Sequence, residues 1–304
     1  MKDKEELWQN VHQAGKIYLL PNFFTAGNLF FGFSSMVLCI MARYNAVDDS
    51  AMHKFCKMLF PATQDVSTSY FLLALLCIIL AVFSDIFDGR VARATGKSSM
   101  FGMQFDSIAD TVSFGVAPAL LTMLLILNPL DELPQFMQGY MGSIGFFVSF
   151  IYLLCACVRL SRFNVLTCPY IKGHEKYSKG DFVGLPAPAA AGVVVSISLT
   201  MLSSNLGTYS ICLVPLVLLT SWFMISGIPY PTFKYINWDV NAKLRTFIFI
   251  IACVIMALYF KEYSFSILFI AYAFYSPIKY LPRFFKVVKY IKAKRLRTKK
   301  AKKA

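Results

Sequence analysis

Long runs of apolar residues recur along almost the entire chain, and they restrict the fold more than any other feature. Eight such segments of 15–20 residues can be read from the sequence, at residues 24–42, 69–87, 108–127, 140–158, 188–206, 209–228, 246–260 and 263–280. A helix needs about 20 apolar residues to cross a bilayer. Only 15% of the residues are charged, whereas soluble domains average about 25%. We therefore predict an all-α, polytopic membrane helix bundle with about eight transmembrane helices; six spans with two peripheral helices would give the same pattern.

Residues 1–20 precede the first apolar segment and form a separate juxtamembrane element. Leu7, Val11, Ala14 and Tyr18 recur there at helical spacing among lysines and glutamates. This pattern predicts an amphipathic helix lying on the membrane surface, and a solvated tail is the alternative. The first 16 residues are polar and of mixed charge, so no cleavable signal peptide is expected.

Basic residues are concentrated in alternate connections between the apolar segments and at the C-terminus. The connections at residues 85–107, 159–185 and 229–245 contain several Lys and Arg, whereas those at 128–139, 207–208 and 261–262 carry no net positive charge. Only the loop at 44–68, with Lys54 and Lys57, weakens this contrast. The bias places both termini and the basic connections in the cytoplasm. We attribute the net charge of +14 to contacts with the membrane surface, so we expect no nucleic-acid partner.

Four of the 16 acidic residues lie at adjacent ends of the second and third apolar segments: Asp85, Asp88, Asp106 and Asp110. Placing one carboxylate inside a membrane helix costs about 2.5–3.5 kcal/mol, and four together also repel one another. The members of each pair are three or four residues apart, so each pair projects from one face of its helix. The short joining segment lets the two helices return antiparallel. The spacing therefore predicts that the four carboxylates share one site.

Carboxylate oxygens without nearby histidines are typical ligands of Mg²⁺ or Mn²⁺. Two such ions close together form a recognised clamp for displacement at phosphorus. The alternative is that the acids are solvated or paired with basic neighbours such as Arg90, Arg93 and Lys97. That alternative suits a single aspartate better than four arranged in this way. We therefore predict a site for two divalent cations.

The segment from Asp85 to Asp110 fits the pattern D-x-x-D-G-x-x-A-R, eight residues, G-x-x-x-D-x-x-x-D. The fixed positions are Asp85, Asp88, Gly89, Ala92, Arg93, Gly102, Asp106 and Asp110. This pattern resembles the signature of the CDP-alcohol phosphatidyltransferase family, and the wider resemblance covers residues 21–228. It implies a six-helix catalytic core at 21–228. The hydropathy and charge patterns predict additional transmembrane helices at 229–285 and a basic cytoplasmic tail at 286–304.

The resemblance implies roles for individual side chains. The four aspartates would hold the two metal ions, and Asp110 would also be the general base. Arg93 has the forked guanidinium that suits phosphate. The donor CDP-diacylglycerol would contact Thr25, Asn28, Asp85, Gly89, Arg93 and Gly102. For Thr25 and Asn28, helix capping and hydrogen bonding between helices are the alternatives.

Two further segments bear on the acceptor alcohol. Residues 157–164 (CVRLSRFN) and 181–191 (DFVGLPAPAAA) resemble motifs of the phosphatidylserine synthase branch of the family. Archaeal relatives that use an ether-lipid donor share these motifs. The resemblance implies that serine attacks the lipid-bearing phosphorus and that CMP leaves. Arg159, Arg162 and Asn164 would bind serine, because its carboxylate requires a cation. The alternative is that both arginines anchor the helix to anionic headgroups.

Several alternatives remain open from the sequence. Inositol or glycerol phosphate could replace serine as acceptor, although a phosphorylated acceptor would need more cations. A cation transporter would carry acids along its spans, whereas here they cluster at one edge; a structural membrane protein with a lipid-binding tail is the third possibility. The enzyme reading implies a site at the cytoplasmic face of the inner membrane, where soluble serine meets lipid. Relatives in the family imply a homodimer.

Overall fold

The computed structural model describes residues 19–44, 51–59, 65–95, 100–127, 135–167, 182–204, 211–230 and 263–280. The predicted N-terminal helix, the seventh apolar segment and the basic tail lie outside these residues. The helices are α1 (Leu19–Arg43), α2 (Ala51–Leu59), α3 (Val66–Thr95), α4 (Met100–Asp110), a π-helical segment (Thr111–Val116), α5 (Ala117–Leu127), α6 (Gln135–Thr167), α7 (Ala187–Ser203), α8 (Leu213–Ile225) and α9 (residues 263–280). Two short strands, β1 (Phe182–Val183) and β2 (Pro229–Tyr230), pair antiparallel.

Four stretches of these helices are long and apolar enough to cross a membrane: Asn22–Arg43, Val66–Val91, Met100–Leu127 and Gly139–Leu166. The fifth and sixth predicted spans form shorter apolar helices, α7 and α8, of 17 and 13 residues. At 1.5 Å per residue, α8 is about 20 Å long, less than the ~30 Å hydrocarbon core. The all-α membrane fold predicted from the sequence is confirmed.

Helices α3 and α4 extend further into the polar motif than the hydropathy pattern predicted. The second apolar segment ends at Phe87, but α3 continues to Thr95; the third begins at Ile108, but α4 starts at Met100. Hydropathy indicates where the side chains stop favouring lipid. A helix can continue beyond that point, because its backbone hydrogen bonds do not depend on apolar side chains. Helix α2 also lies in a loop for which no helix was predicted.

Helix α1 packs most extensively against α3, and it also contacts α4, the π-helical segment and α5. Helix α6 packs on α5 and α8. Small buried residues such as Ala74, Ala81 and Ala117 line these contacts, as expected where membrane helices approach closely. The packing brings the start of α1, the end of α3, the start of α4 and the end of α6 to the same side of the bundle.

A tight turn leads into α7. Gly184 adopts a φ of +84°, and its N–H donates to the Ile228 carbonyl at 2.9 Å. The next residue, Leu185, donates its N–H to the Phe223 carbonyl at 3.0 Å. Pro186 then serves as the N-cap of α7. The glycine and proline of this motif therefore shape the chain between the strands and α7.

Gly184→Ala is expected to destabilise the protein, whereas Gly227→Ala is not. A Cβ at position 184 would lie 2.3 Å from the backbone oxygen of Met224, and the left-handed conformation alone costs about 1–3 kcal/mol for a side chain. A Cβ at Gly227 meets nothing within 4 Å. Thermal unfolding in detergent should show a clear loss of Tm for the first variant alone. Equal Tm values would contradict this account of the turn.

Helix α9 docks on α7 through hydroxyl groups and aromatic rings. The Ser266 hydroxyl donates to the Ser196 carbonyl at 2.8 Å and lies 2.7 Å from the Thr200 hydroxyl. Gly192 leaves room for the Phe269 ring, which a Cβ there would approach to 2.2 Å. The α9 helix is therefore packed on the bundle through specific contacts, which hydropathy alone did not predict.

Candidate functional site

Three carboxylates meet where the second half of α3 faces the last turns of α4. One oxygen from each of Asp85, Asp106 and Asp110 lies within 4.8 Å of the other two. Asp110 is 8% exposed, and the other two are half-buried. The helical spacing and the antiparallel return of the chain bring these groups together. A single cation can contact oxygens at such separations, and without one the three charges would repel each other strongly.

The fourth aspartate, Asp88, lies beside this group but has a partner of its own. It is 8% exposed and accepts a hydrogen bond from the hydroxyl of Thr25 on α1. Asp88 still acts electrostatically on Asp85 and Asp106. The site therefore contains three converging carboxylates and a fourth that α1 holds next to them.

Asn28 on α1 connects that helix to Asp110. Its side-chain N–H group donates to Asp110 Oδ1 at 3.0 Å, and the residue is fully buried. Its Oδ1 atom has no hydrogen-bond donor among the described residues. Thr25 and Asn28, predicted as nucleotide contacts, thus orient two of the aspartates.

Arg159 on α6 provides the buried positive charge of the site. It is 9% exposed and interacts electrostatically with Asp110 and Asp85. Its guanidinium carbon lies 5.5 Å from the centre of the Phe163 ring. Arg162, three residues further along α6, is exposed. The structure thus distinguishes two arginines for which the same role was predicted from the sequence.

Asn164, the third predicted acceptor contact, is linked to the residue after Asp106. Its amide N–H donates to the Ser107 hydroxyl at 2.7 Å, and that hydroxyl also lies 3.0 Å from the Met103 carbonyl. Sequence analysis missed Ser107, because a serine on an otherwise apolar helix carries no distinctive pattern. The contact ties the end of α6 to α4 beside the carboxylates.

The remaining predicted donor contacts lie on the same two helices. Gly89 follows Asp88 on α3, and Gly102 lies one turn before Asp106 on α4; both are half-buried. Arg93 is on the last turns of α3, but its side chain lies outside the part that the structure describes. All three positions are therefore at the same end of the bundle as the carboxylates.

The donor set fits hard divalent cations. The cluster consists of carboxylates alone, and no histidine or cysteine joins them in the part of the chain that the structure describes. Oxygen donors of this type suit Mg²⁺ or Mn²⁺ better than zinc or copper. The four aspartates carry more charge than the buried Arg159, so cations would compensate the excess.

Fold and site together define a polytopic membrane protein with a carboxylate cluster, suited to divalent cations, at one end of its helices. A family model described as CDP-alcohol phosphatidyltransferase matches residues 18–225. The chain belongs to the CDP-alcohol phosphatidyltransferase family, as its motif indicated. Helix α9 follows the matched region.

Curated relatives align with much of the chain. A CDP-diacylglycerol–serine O-phosphatidyltransferase of Helicobacter pylori (strain J99) is 32% identical over 240 residues, 77% of this chain and 81% of the relative. The protein of the same name from Methanocaldococcus jannaschii is 33% identical over 204 residues, 67% of this chain and 82% of the relative. An archaetidylserine synthase of Methanothermobacter thermautotrophicus is 38% identical over 160 residues, 52% and 58% of the two chains.

Proposed function

We propose that this protein transfers the phosphatidyl group of CDP-diacylglycerol to L-serine, giving phosphatidylserine and CMP. The convergence of Asp85, Asp106 and Asp110 within 4.8 Å, next to a buried arginine, carries the proposal. The names of the Helicobacter and Methanocaldococcus relatives support serine as the acceptor. The sequence motifs around Arg159 and Gly184 point to the same branch of the family.

On the donor side, Asp85, Asp88, Asp106 and Asp110 would hold two divalent cations, Mg²⁺ or Mn²⁺. Such ions neutralise pyrophosphate charge and stabilise the leaving CMP. Thr25 and Asn28 orient Asp88 and Asp110 through the hydrogen bonds described above. We assign the contacts with the nucleotide and its phosphates to Thr25, Asn28, Asp85, Gly89, Arg93 and Gly102.

Asp110 is the proposed general base. Its Oδ1 accepts the hydrogen bond from Asn28, which fixes the carboxylate and leaves lone pairs for the serine hydroxyl. Asp110 takes the hydroxyl proton as the serine oxygen forms a bond to the lipid-bearing phosphorus. The bond from that phosphorus to the CMP oxygen breaks, and CMP leaves with the electron pair. A positioned base of this kind contributes about 10²–10⁴-fold to a rate.

On the acceptor side, Arg159 is the group best placed to bind the serine carboxylate. It is buried next to Asp110, so a carboxylate paired with it would bring the serine hydroxyl close to the base. Asn164 orients α4 through Ser107 and has a second proposed role in contacting serine. Arg162 is exposed, and we assign it to the route by which serine reaches the site.

The membrane setting of the reaction follows from charge and chemistry. Several apolar helices indicate an integral membrane protein. The excess of Lys and Arg in the connections at 85–107, 159–185 and 229–245 supports a site and termini that face the cytoplasm. We assign the protein to the inner membrane. We also propose that the protein is a homodimer and that residues 21–228 form the catalytic core of each subunit.

The proposal is tested by offering the purified protein CDP-diacylglycerol, Mn²⁺ or Mg²⁺ and labelled serine, inositol or glycerol phosphate. Serine should enter lipid with one CMP released per serine incorporated, and the other alcohols should remain in water. Preferential incorporation of inositol or glycerol phosphate would refute serine as acceptor. A parallel reaction with an ether-lipid CDP donor tests the activity suggested by the archaetidylserine synthase relative. Cation flux into vesicles without CMP release would indicate a transporter instead.

A further inference from the structure

A π-helical segment, Thr111–Val116, begins directly after Asp110. Asp110 itself has α-helical angles, φ −62° and ψ −39°, so α4 runs into the segment without a break. A π turn inserts an extra residue into the helix, and such insertions are frequent at functional sites. The residues that hold this turn therefore determine how Asp110 is presented to Asp85 and Asp106.

Helix α1 holds one side of the π segment. The Ser113 hydroxyl donates to the backbone carbonyl of Asn28 at 2.9 Å, and the Asn28 side chain donates to Asp110 at 3.0 Å. Asn28 thus binds both Asp110 and Ser113, the first through its side chain and the second through its backbone carbonyl. Gly32, one turn after Asn28, lies so close that a Cβ there would be 2.7 Å from Ser113 Cα. Only a glycine lets α1 approach the π backbone this closely.

Helix α6 holds the opposite side. The Tyr152 hydroxyl donates to the backbone carbonyl of Phe114 at 3.1 Å. Tyr152 and Phe114 are 1% and 0% exposed, so no water competes for this bond. Gly115 lies against α6 as well, since a Cβ there would be 3.2 Å from Leu153. The π segment is therefore fixed between α1 and α6.

We propose that Tyr152 and Gly32 are positioning residues for Asp110, acting through the π segment that they hold in place. Neither residue belongs to the family motif, and among the described residues neither donates a hydrogen bond to a carboxylate. This inference rests on the proposed role of Asp110 in turnover. Their contribution is to the orientation of one carboxylate among three, on which both cation binding and proton transfer depend.

Tyr152→Phe keeps the ring and removes only the hydrogen bond to Phe114. Its matched control is Tyr263→Phe, which removes the hydroxyl that lies 2.7 Å from the Ser204 hydroxyl, where α9 begins and α7 ends, away from the carboxylates. Outer partners of metal ligands are worth about 10–100-fold in metal affinity or activity. We expect Tyr152→Phe to lower kcat and weaken Mn²⁺ binding by about tenfold or more, with KM for serine little changed. Tyr263→Phe should alter neither.

Mn²⁺ binding, measured by electron paramagnetic resonance without lipid substrate, separates this proposal from the proposed function. If the wild type fails to use serine, weaker binding in Tyr152→Phe still supports the positioning role. Unchanged Mn²⁺ affinity and kcat in Tyr152→Phe, or equal losses in both tyrosine variants, would overturn it.

Gly32→Ala provides the second variant, with Gly142→Ala as its control. A Cβ at Gly142 meets only Leu127 Cδ2 at 3.4 Å, an ordinary contact. We expect Mn²⁺ binding to weaken only in Gly32→Ala. If that variant does not fold, Ser113→Ala removes the bond to the Asn28 carbonyl without adding volume and should weaken Mn²⁺ binding in the same way. Wild-type affinity in the folded variant would refute the role of α1.

Discussion

Asp110→Asn is expected to reduce CMP release from CDP-diacylglycerol by about 10²–10⁴-fold, the contribution of a positioned general base. Asparagine has almost the same shape, and its amide oxygen can still accept the hydrogen bond from Asn28 that Asp110 now receives at 3.0 Å. It cannot take the serine proton, and it removes one negative charge from the cation site. The loss should appear in kcat with serine at saturation, measured as CMP formed per minute.

Asp65→Asn is the matched control for this substitution. Asp65 is exposed at the start of α3, where its carboxylate accepts hydrogen bonds from the Ser67 and Thr68 backbone N–H groups at 3.3 and 3.1 Å. Asparagine caps helices about as well as aspartate, so stability and turnover should be preserved. An Asp110→Asn protein that retains more than a tenth of wild-type turnover would exclude Asp110 as the base.

The spacing of the motif residues predicts much of the site, whereas its other features depend on tertiary contacts. Spacing predicts that Asp106 and Asp110 share a helical face, and the structure brings both together with Asp85. It does not predict that Asp88 bonds to the Thr25 hydroxyl, because that partner comes from another helix. Hydropathy likewise identified the spans but ended α3 too early, since the motif residues face a polar site instead of lipid.

The π segment illustrates a feature that the sequence alone does not predict. The residues 111–116, TVSFGV, contain no proline and no unusual pattern. The extra residue in the turn is accommodated by Gly32 on α1 and Tyr152 on α6, which are distant in sequence. Such a distortion depends on how three helices meet, so local propensity carries no signal for it.

Helix α9 raises the same issue at the level of an entire element. It follows the region matched by the family model, which ends at residue 225, yet the Tyr230 hydroxyl donates to its Ala273 carbonyl at 3.0 Å. Tyr272, the neighbouring residue, interacts electrostatically with Arg159. The helix is thus integrated with the acceptor side of the site, which the hydropathy pattern alone could not indicate.

The two arginines of α6 should differ sharply when each is replaced by glutamine. Arg159 is buried beside Asp110 and Asp85, and truncating one partner of a buried charge pair costs about 2–5 kcal/mol. We therefore expect Arg159→Gln to lower kcat/KM for serine at least about 30-fold. Arg162 is exposed, so screening by water limits its contribution, and Arg162→Gln should have an effect of only a few-fold.

Initial rates at varied serine and saturating CDP-diacylglycerol measure this difference. Arg43→Gln, at the other end of the bundle on the last turn of α1, controls for the loss of a positive charge and should match the wild type. Arg159→Lys should recover part of the activity if charge dominates, and little if the forked guanidinium is required. A larger loss in Arg162→Gln than in Arg159→Gln would move serine recognition to the exposed arginine. Such a result would show that the buried guanidinium serves the carboxylates rather than the acceptor.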